Sequence, residues 1–333
     1  MGLQEQDGRI RVEVITGFLG SGKTTLLNRL LREPAFAGSV VIVNEYGDVG
    51  VDHHLVRPAS DRVVLVEGGC LCCAVSGDVA DALRDLFMQA LRRAIPPFRR
   101  VFIETSGLAD PASVIFTLRH DRFLAERYVY TGCVAVVDAR QGARRLAEHP
   151  EAVRQLALAD AVVFSKADLA GPSELAEAER AASAINPGAR RAVHVAGSAL
   201  PGLLAEPLPA RRSPAELRSW LGAYAGMAGS RHAPAGSCVV ALDAPLPRAR
   251  FLSGVARVQE RFGDALLRLK GWVAFQGETL PMEVQGVHGE LYPLAPLPGW
   301  PEGEGESRLV AIVRGECPET VRAALQEVLS ARG

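Results

Sequence analysis

This sequence has almost no surplus charge of either sign. Its 37 Lys and Arg offset 38 Asp and Glu, leaving a formal net charge of −1. A balance this close removes any global electrostatic argument for nucleic acid or an anionic membrane as partner. Nor does any uninterrupted apolar run reach the length needed to span a bilayer. The opening stretch MGLQEQDGRIRVEV has no apolar core behind a basic start, so no secretory signal is expected and the reading is cytoplasmic. With no export route, the six cysteines are expected as thiols in a reducing compartment. Cys133, Cys238 and Cys317 are scattered and read as small buried or incidental residues.

The 333 residues suffice for one large or two ordinary domains, and 48% hydrophobic with 23% charged residues is normal for a globular chain. The first 200 residues alternate apolar β-rich runs with helical segments. Strands are expected at 11–16, 40–44, 62–67, 100–104, 132–138 and 160–165, and helices at 22–32, 77–94, 140–147, 150–158 and 172–184. Near-continuous Val/Ile runs between helices indicate a doubly wound, mainly parallel α/β sheet covered on both faces. An Ala/Pro/Gly-rich stretch then surrounds a short helix, PAELRSWLGAY. From 237 a smaller α+β unit is expected, with strands near 237–243, 267–276, 280–286 and 308–314 and helices near 247–262 and 318–331. The division is 1–205, a linker at 206–236, and 237–333. In the second unit RLKGW and HGELYP read as a basic and a mixed surface, for client or self contacts or as ordinary sheet surface.

VITGFLGSGKTTLLNRLL fits G-x-x-x-x-G-K-[ST] from Gly17 to Thr24, after an expected strand and into an expected helix. Gly17, Gly20 and Gly22 let the backbone turn N–H groups inward around phosphates at a helix N-terminus. Lys23 would neutralise the outer phosphates and the Thr24 hydroxyl would ligate Mg²⁺. At a later strand end, VVFSKADL stands where P-loop GTPases carry N-K-x-D. Asp168 can accept from guanine N1–H and N2–H₂, a donor pair adenine lacks, and the Lys166 stem can cover the base. Ser165 replaces the usual Asn, which weakens the match, yet GTP is favoured over ATP.

In VFIETSGLADPA, Glu104 ends another apolar strand, where α/β sheets gather ligands; it can order the Mg²⁺ shell or the attacking water. Gly107 can offer its N–H to a γ-phosphate. The polar loop VNEYGDVGVDHHL brings Glu45, Asp48 and Asp52 beside the sheet, with Asp48 a candidate Mg²⁺ ligand, direct or through water. Such a loop can order around γ-phosphate and relax after hydrolysis.

VEGGCLCCAV packs Cys70, Cys72 and Cys73 into four positions. Adjacent Cys72 and Cys73 cannot easily form an unstrained disulfide with each other. A structural zinc site closes with four protein ligands, and no second cysteine pair lies nearby. Three thiols without a fourth ligand suit a metal that is passed on, with zinc or cobalt(II) fitting and copper(I) also bound. In an extended segment Cys70 and Cys72 share a side while Cys73 points away. A redox pair remains the competing use, although the C-x-x-C framework at a helix start is missing.

GFLGSGKTTLLN, NEYGDVGVDHHL, GGCLCC, ETSGLADP and SKADL, in that order, resemble the CobW family of P-loop GTPases, and the tail LRLKGWVAFQGE…VQGVHGELYPL is similar to its C-terminal domain. The resemblance implies a GTP-dependent metallochaperone for zinc or cobalt. Position by position, it implies that Gly20, Ser21, Gly22, Lys23, Thr24 and Thr25 bind phosphate and Mg²⁺. Glu104–Gly107 become the Walker-B-like element, with Lys23, Glu104 and Gly107 catalytic. Ser165, Lys166 and Asp168 become the base site, NEYGDVG switch I, and Cys70, Cys72 and Cys73 the transition-metal ligands. Several relatives carry a His-rich stretch; the seven histidines here are scattered, so a storage-type member is not expected. The implied partner is a metal-requiring client protein or cofactor-pathway enzyme, with a nucleotide- or metal-dependent homodimer also compatible. Two other classes stay open: a P-loop small-molecule kinase, and a nucleotide-dependent binding module with little turnover.

Overall fold

The computed structural model describes residues 8–44, 64–68, 76–195, 198, 213–224, 235–242, 245–301 and 306–329, with backbone only at 44, 64–68 and 76–78. The polar loop with Glu45, Asp48 and Asp52, and the segment with Cys70, Cys72 and Cys73, lie outside the described residues.

Seven strands make the first sheet: β1 (Ile10–Thr16), β2 (Ser39–Asn44), β3 (Val64–Gly68), β4 (Arg100–Thr105), β5 (Tyr128–Asp138), β6 (Ala161–Ser165) and β7 (Arg190–Val193). Their order is β3-β2-β4-β1-β5-β6-β7 and every pairing is parallel. Helices α1 (Lys23–Leu30), α2 (Ser76–Leu91), α3 (Ala112–His120), α4 (Arg122–Arg127), α5 (Gly142–Glu148), α6 (Pro150–Leu158) and α7 (Pro172–Ile185) cover it. Side chains alternate along each strand, so β1 sends Val12 and Val14 to a layer shared with Leu83 and Leu118 of α2 and α3. Ile15 goes to the opposite layer with Leu26 and Leu27 of α1. Burial on both faces is why these strands read as continuous apolar runs.

In the first sheet, two strands depart from the sequence reading. β5 starts at Tyr128, four residues earlier than expected, because the aromatic and polar YVYTG continues the strand through a register shift at Val12/Glu13. β7, unforeseen, ends the order of described strands at one side, and its exposed Arg190 and Arg191 blunt that edge.

After α8 (Pro214–Gly222) come β8 (Gly236–Leu242), α9 (Arg248–Phe262), β9 (Leu266–Val273), β10 (Met282–Val287), β11 (Glu290–Leu291), β12 (Ala295–Pro296), β13 (Ser307–Val313) and α10 (Pro318–Leu329). The strands pair antiparallel in the order β11-β10-β9-β13-β8, with β12 on β10. One face packs under α9 and α10 through Val240, Leu269, Leu309 and Leu325. The other meets the first unit: Trp272, Val310 and Ile312 share a core with Leu156 of α6 and Trp220 of α8.

That second face corrects the surface reading of RLKGW. Arg268 and Lys270 are buried, at 7% and 3% exposure, because they point with Trp272 into the junction. Asp160, just after α6, compensates them: its carboxylate lies 2.9 Å from Arg268 and 3.4 Å from Lys270, and accepts from Tyr130 Oη (3.2 Å) and the Cys133 N–H (3.1 Å).

Candidate functional site: a phosphate loop and its supports

The carboxyl ends of β1, β4, β5 and β6 gather the candidate residues on one edge of the sheet. Register fixes this: Ile15 lies beside Glu104, Thr16 beside Ala135, and Asp138 beside Ser165. Such an edge is where open α/β sheets hold ligands.

The phosphate loop turns directly off β1. Gly17 has φ of +143°, and a Cβ there would stand 2.3 Å from the Val136 carbonyl oxygen, so only glycine fits. Lys23 opens α1 buried, its Nζ donating to the Gly17 carbonyl at 3.0 Å. Thr24, the next residue, donates its hydroxyl to Glu104 Oε1 at 2.7 Å. This joins the start of α1 to the end of β4 and brings a hydroxyl and a carboxylate, both hard oxygen donors, to one point. The chemistry fits Mg²⁺, which prefers few protein oxygens beside phosphate. Thr105 donates to Thr16 at 2.9 Å and repeats the tie one residue on.

Gly107 lies against the loop from the other side. A Cβ there would come within 2.7 Å of the Leu19 backbone, so the ETSG turn packs directly on the phosphate loop.

The SKADL segment grips the loop from β6. Ser165 Oγ donates to the Ser21 carbonyl at 2.5 Å. Lys166 adopts a left-handed φ of 56°, and its Nζ donates to the Gly20 carbonyl at 2.6 Å and to Asp138 Oδ2 at 2.8 Å. Serine thus bonds the loop directly where P-loop GTPases usually carry asparagine. Asp168 stands exposed on the following turn.

Three residues that the motifs did not single out complete the site. Asp138 ends β5 and accepts from the Arg140 N–H (2.9 Å) as well as from Lys166. Burial alone would raise its carboxyl, but Lys166 and the Arg140 and Gln141 amides outweigh that and hold it below the ordinary carboxylate value. Its signal was the one that marked Glu104, an acid closing an apolar strand. Arg145 of α5 donates to the Leu19 carbonyl and lies over the Phe18 ring. Buried Gln155 of α6 donates to the Gly107 (3.1 Å) and Ala109 (3.0 Å) carbonyls. A polar side chain at a core position of an amphipathic helix was its only trace in the sequence.

At the far end of the same turn, Asp110 Oδ2 lies 3.0 Å from His288 Nε2, in the β10–β11 turn of the second sheet. Burial would raise the Asp110 carboxyl, yet His288 and the Ala112 N–H draw it below its ordinary value.

Profiles of known families match both parts of the chain. The CobW/HypB/UreG nucleotide-binding domain covers residues 11–192, and the cobalamin synthesis protein CobW C-terminal domain covers 235–329. The chain belongs to the CobW family. Among CobW-family relatives, the zinc chaperone YjiA of Escherichia coli K12 is 34% identical, over 95% of this chain and 97% of its own. The zinc chaperone CobW of Pseudomonas aeruginosa is 30% identical, over 84% and 80%. The crystal structure of Zn(II)-bound YjiA GTPase from E. coli superposes with a TM-score of 0.68 at 26% identity, covering 96% of this chain and 99% of that one. The two-sheet architecture is therefore that of a CobW-family GTPase fold. Among the described residues no cluster of three or more His, Cys, Asp or Glu can hold a metal, and no helix is long and apolar enough to cross a membrane.

Proposed function

We propose that this CobW-family chain is a GTP-hydrolysing metallochaperone that carries zinc, with cobalt(II) as the alternative cargo, on Cys70, Cys72 and Cys73. The observation that carries the hydrolytic half is the 2.7 Å bond from Thr24 to Glu104, beside a Gly107 turn packed on the phosphate loop. Thr24 and Glu104, with Asp48, are the residues that would hold Mg²⁺, which when bound supplies neutralising charge to the phosphate oxygens. Lys23 neutralises the outer phosphates, and the Gly107 N–H meets the γ-phosphate. Glu104 orders the water that attacks γ-phosphorus, so the β–γ bridging bond breaks to GDP and phosphate. Ser165 and Lys166 brace the loop carbonyls while Asp168 reads guanine. Residues 1–205 form the GTPase domain, joined through 206–236 to the C-terminal domain 237–333.

The cargo half rests on the relatives named zinc chaperones and on chain geometry. Gly68, the last residue of β3, pairs with Asn44, which pairs with Thr105. The strand that feeds the cysteines therefore ends about 10 Å, two strand spacings, from the Glu104–Thr105 end. Nucleotide-dependent ordering of the NEYGDVG switch would then change the metal affinity of the cysteine segment, and a loaded cysteine site would hand its ion to a metal-requiring client.

The test is direct. Purified protein with GTP and Mg²⁺ alone should release phosphate, faster than with ATP; no release without an added acceptor molecule would favour a kinase. Glu104→Gln should slow release about 100-fold, the usual scale for losing one charge-positioning group. Cys72→Ser should lose tight zinc binding and keep nucleotide binding; loss of both together would mark a structural cysteine cluster.

A further inference from the structure

We propose that Gln155 is a positioning residue for GTP hydrolysis, holding the Gly107 turn in the conformation that meets the γ-phosphate; this rests on the proposed GTPase reading.

Ser106 to Ala109 forms a tight turn, with the Ala109 N–H donating to the Ser106 carbonyl at 3.2 Å. The Gly107 and Ala109 carbonyls point into the protein and meet a single group, the Gln155 amide nitrogen, at 3.1 and 3.0 Å. Two carbonyls can be faced only by the NH₂ end, so the orientation of the amide is fixed by its partners. With both carbonyls fastened behind the turn, the Gly107 N–H makes no hydrogen bond to any described residue and stays available to a ligand oxygen. On the open side, Leu19 packs so close that a Cβ on Gly107 would come within 2.7 Å of its backbone. The turn is therefore clamped between a loop that carries the phosphates and one buried side chain.

The mount of that side chain is stiff. Gln155 is 1% exposed on α6. Arg268 from the second sheet donates to the Ala157 and Ala159 carbonyls at the end of α6, both at 3.0 Å. Asn186 donates to the Leu156 carbonyl (2.9 Å) and the Ala159 carbonyl (2.9 Å), and is itself held by Tyr224. Gln155 also lines a cavity of about 20 Å³ together with Ser21 and Phe18.

The experiment compares wild type with Gln155→Met, which keeps the volume and removes both donors. The account predicts GDP affinity within about twofold of wild type, affinity for a non-hydrolysable GTP analogue down about tenfold, and kcat down about tenfold. Amide exchange across residues 107–110 should also quicken at least tenfold. An unchanged analogue-to-GDP affinity ratio with unchanged kcat would overturn the proposal while leaving the GTPase reading intact. If wild type neither binds nor hydrolyses GTP, that reading fails by itself, and unchanged exchange at 107–110 overturns the clamp separately. Should Gln155→Met not fold, Gln155→Asn, which withdraws the amide by one methylene, is held to the same three readouts.

Discussion

At the scale of single residues, burial decides which groups are chemically active. Cys133 is fully buried and its thiol is pushed far up by that burial; Cys238 is pushed up to about 12. Both are inert at neutral pH, as their scattered positions suggested, while Cys317 is exposed. Glu13 carries a pH dependence of its own. It sits inside β1, where burial raises its carboxyl to about 7 even though Arg100 stands 3.5 Å away and pulls the other way. A carboxyl raised on folding favours the native state most below its unfolded value of about 4.5, and that contribution is lost as pH rises through 7. Stability should therefore fall by up to about 3 kcal/mol between pH 4.5 and 7 on this account. Urea midpoints across that range should show the slope in wild type, and Glu13→Gln should flatten it. Motif residues were legible because spacing within one short segment defines them. Asp138, Arg145 and Gln155 were not, because each reaches its partner from a distant part of the chain.

Element by element, the strands of the first sheet were legible where both faces are apolar, as in VVIVN and DAVVFS. They were missed where aromatic or charged residues interrupt the run, as at Tyr128–Gly132 or in the arginine-bearing β7. The phosphate loop illustrates the stronger constraint of backbone shape. Gly17→Ala would place a methyl 2.3 Å from the Val136 carbonyl oxygen in a left-handed φ. Backbone strain of this kind costs about 1–3 kcal/mol. The expected result is a melting midpoint lowered by several degrees and GDP affinity weakened at least tenfold by calorimetry. Retained GDP affinity would mean the loop can be displaced from β5 without harm to the site.

The whole molecule is organised by a junction that could not be foreseen from residue order alone. RLKGW reads as surface, and only the fold brings Asp160 beneath it. Asp160→Asn keeps the shape but leaves Arg268 and Lys270 buried without their carboxylate. Breaking a buried pair in this way costs about 3–5 kcal/mol, which chemical unfolding should register; a loss under 1 kcal/mol would show the junction to be hydrated. The same junction gives the second sheet two routes to the Gly107 turn. His288 reaches Asp110 at its far end, and Arg268 braces the helix that carries Gln155. In the proposed function, nucleotide, metal and second sheet bear on one strand edge, and any change that nucleotide makes in metal affinity is matched by an equal change that metal makes in nucleotide affinity. The most direct measurement of that claim is zinc affinity under anaerobic conditions with GDP and with a non-hydrolysable GTP analogue. The account predicts at least tenfold tighter zinc binding with the analogue, lost in Cys72→Ser; equal affinity in the two nucleotide states would contradict it.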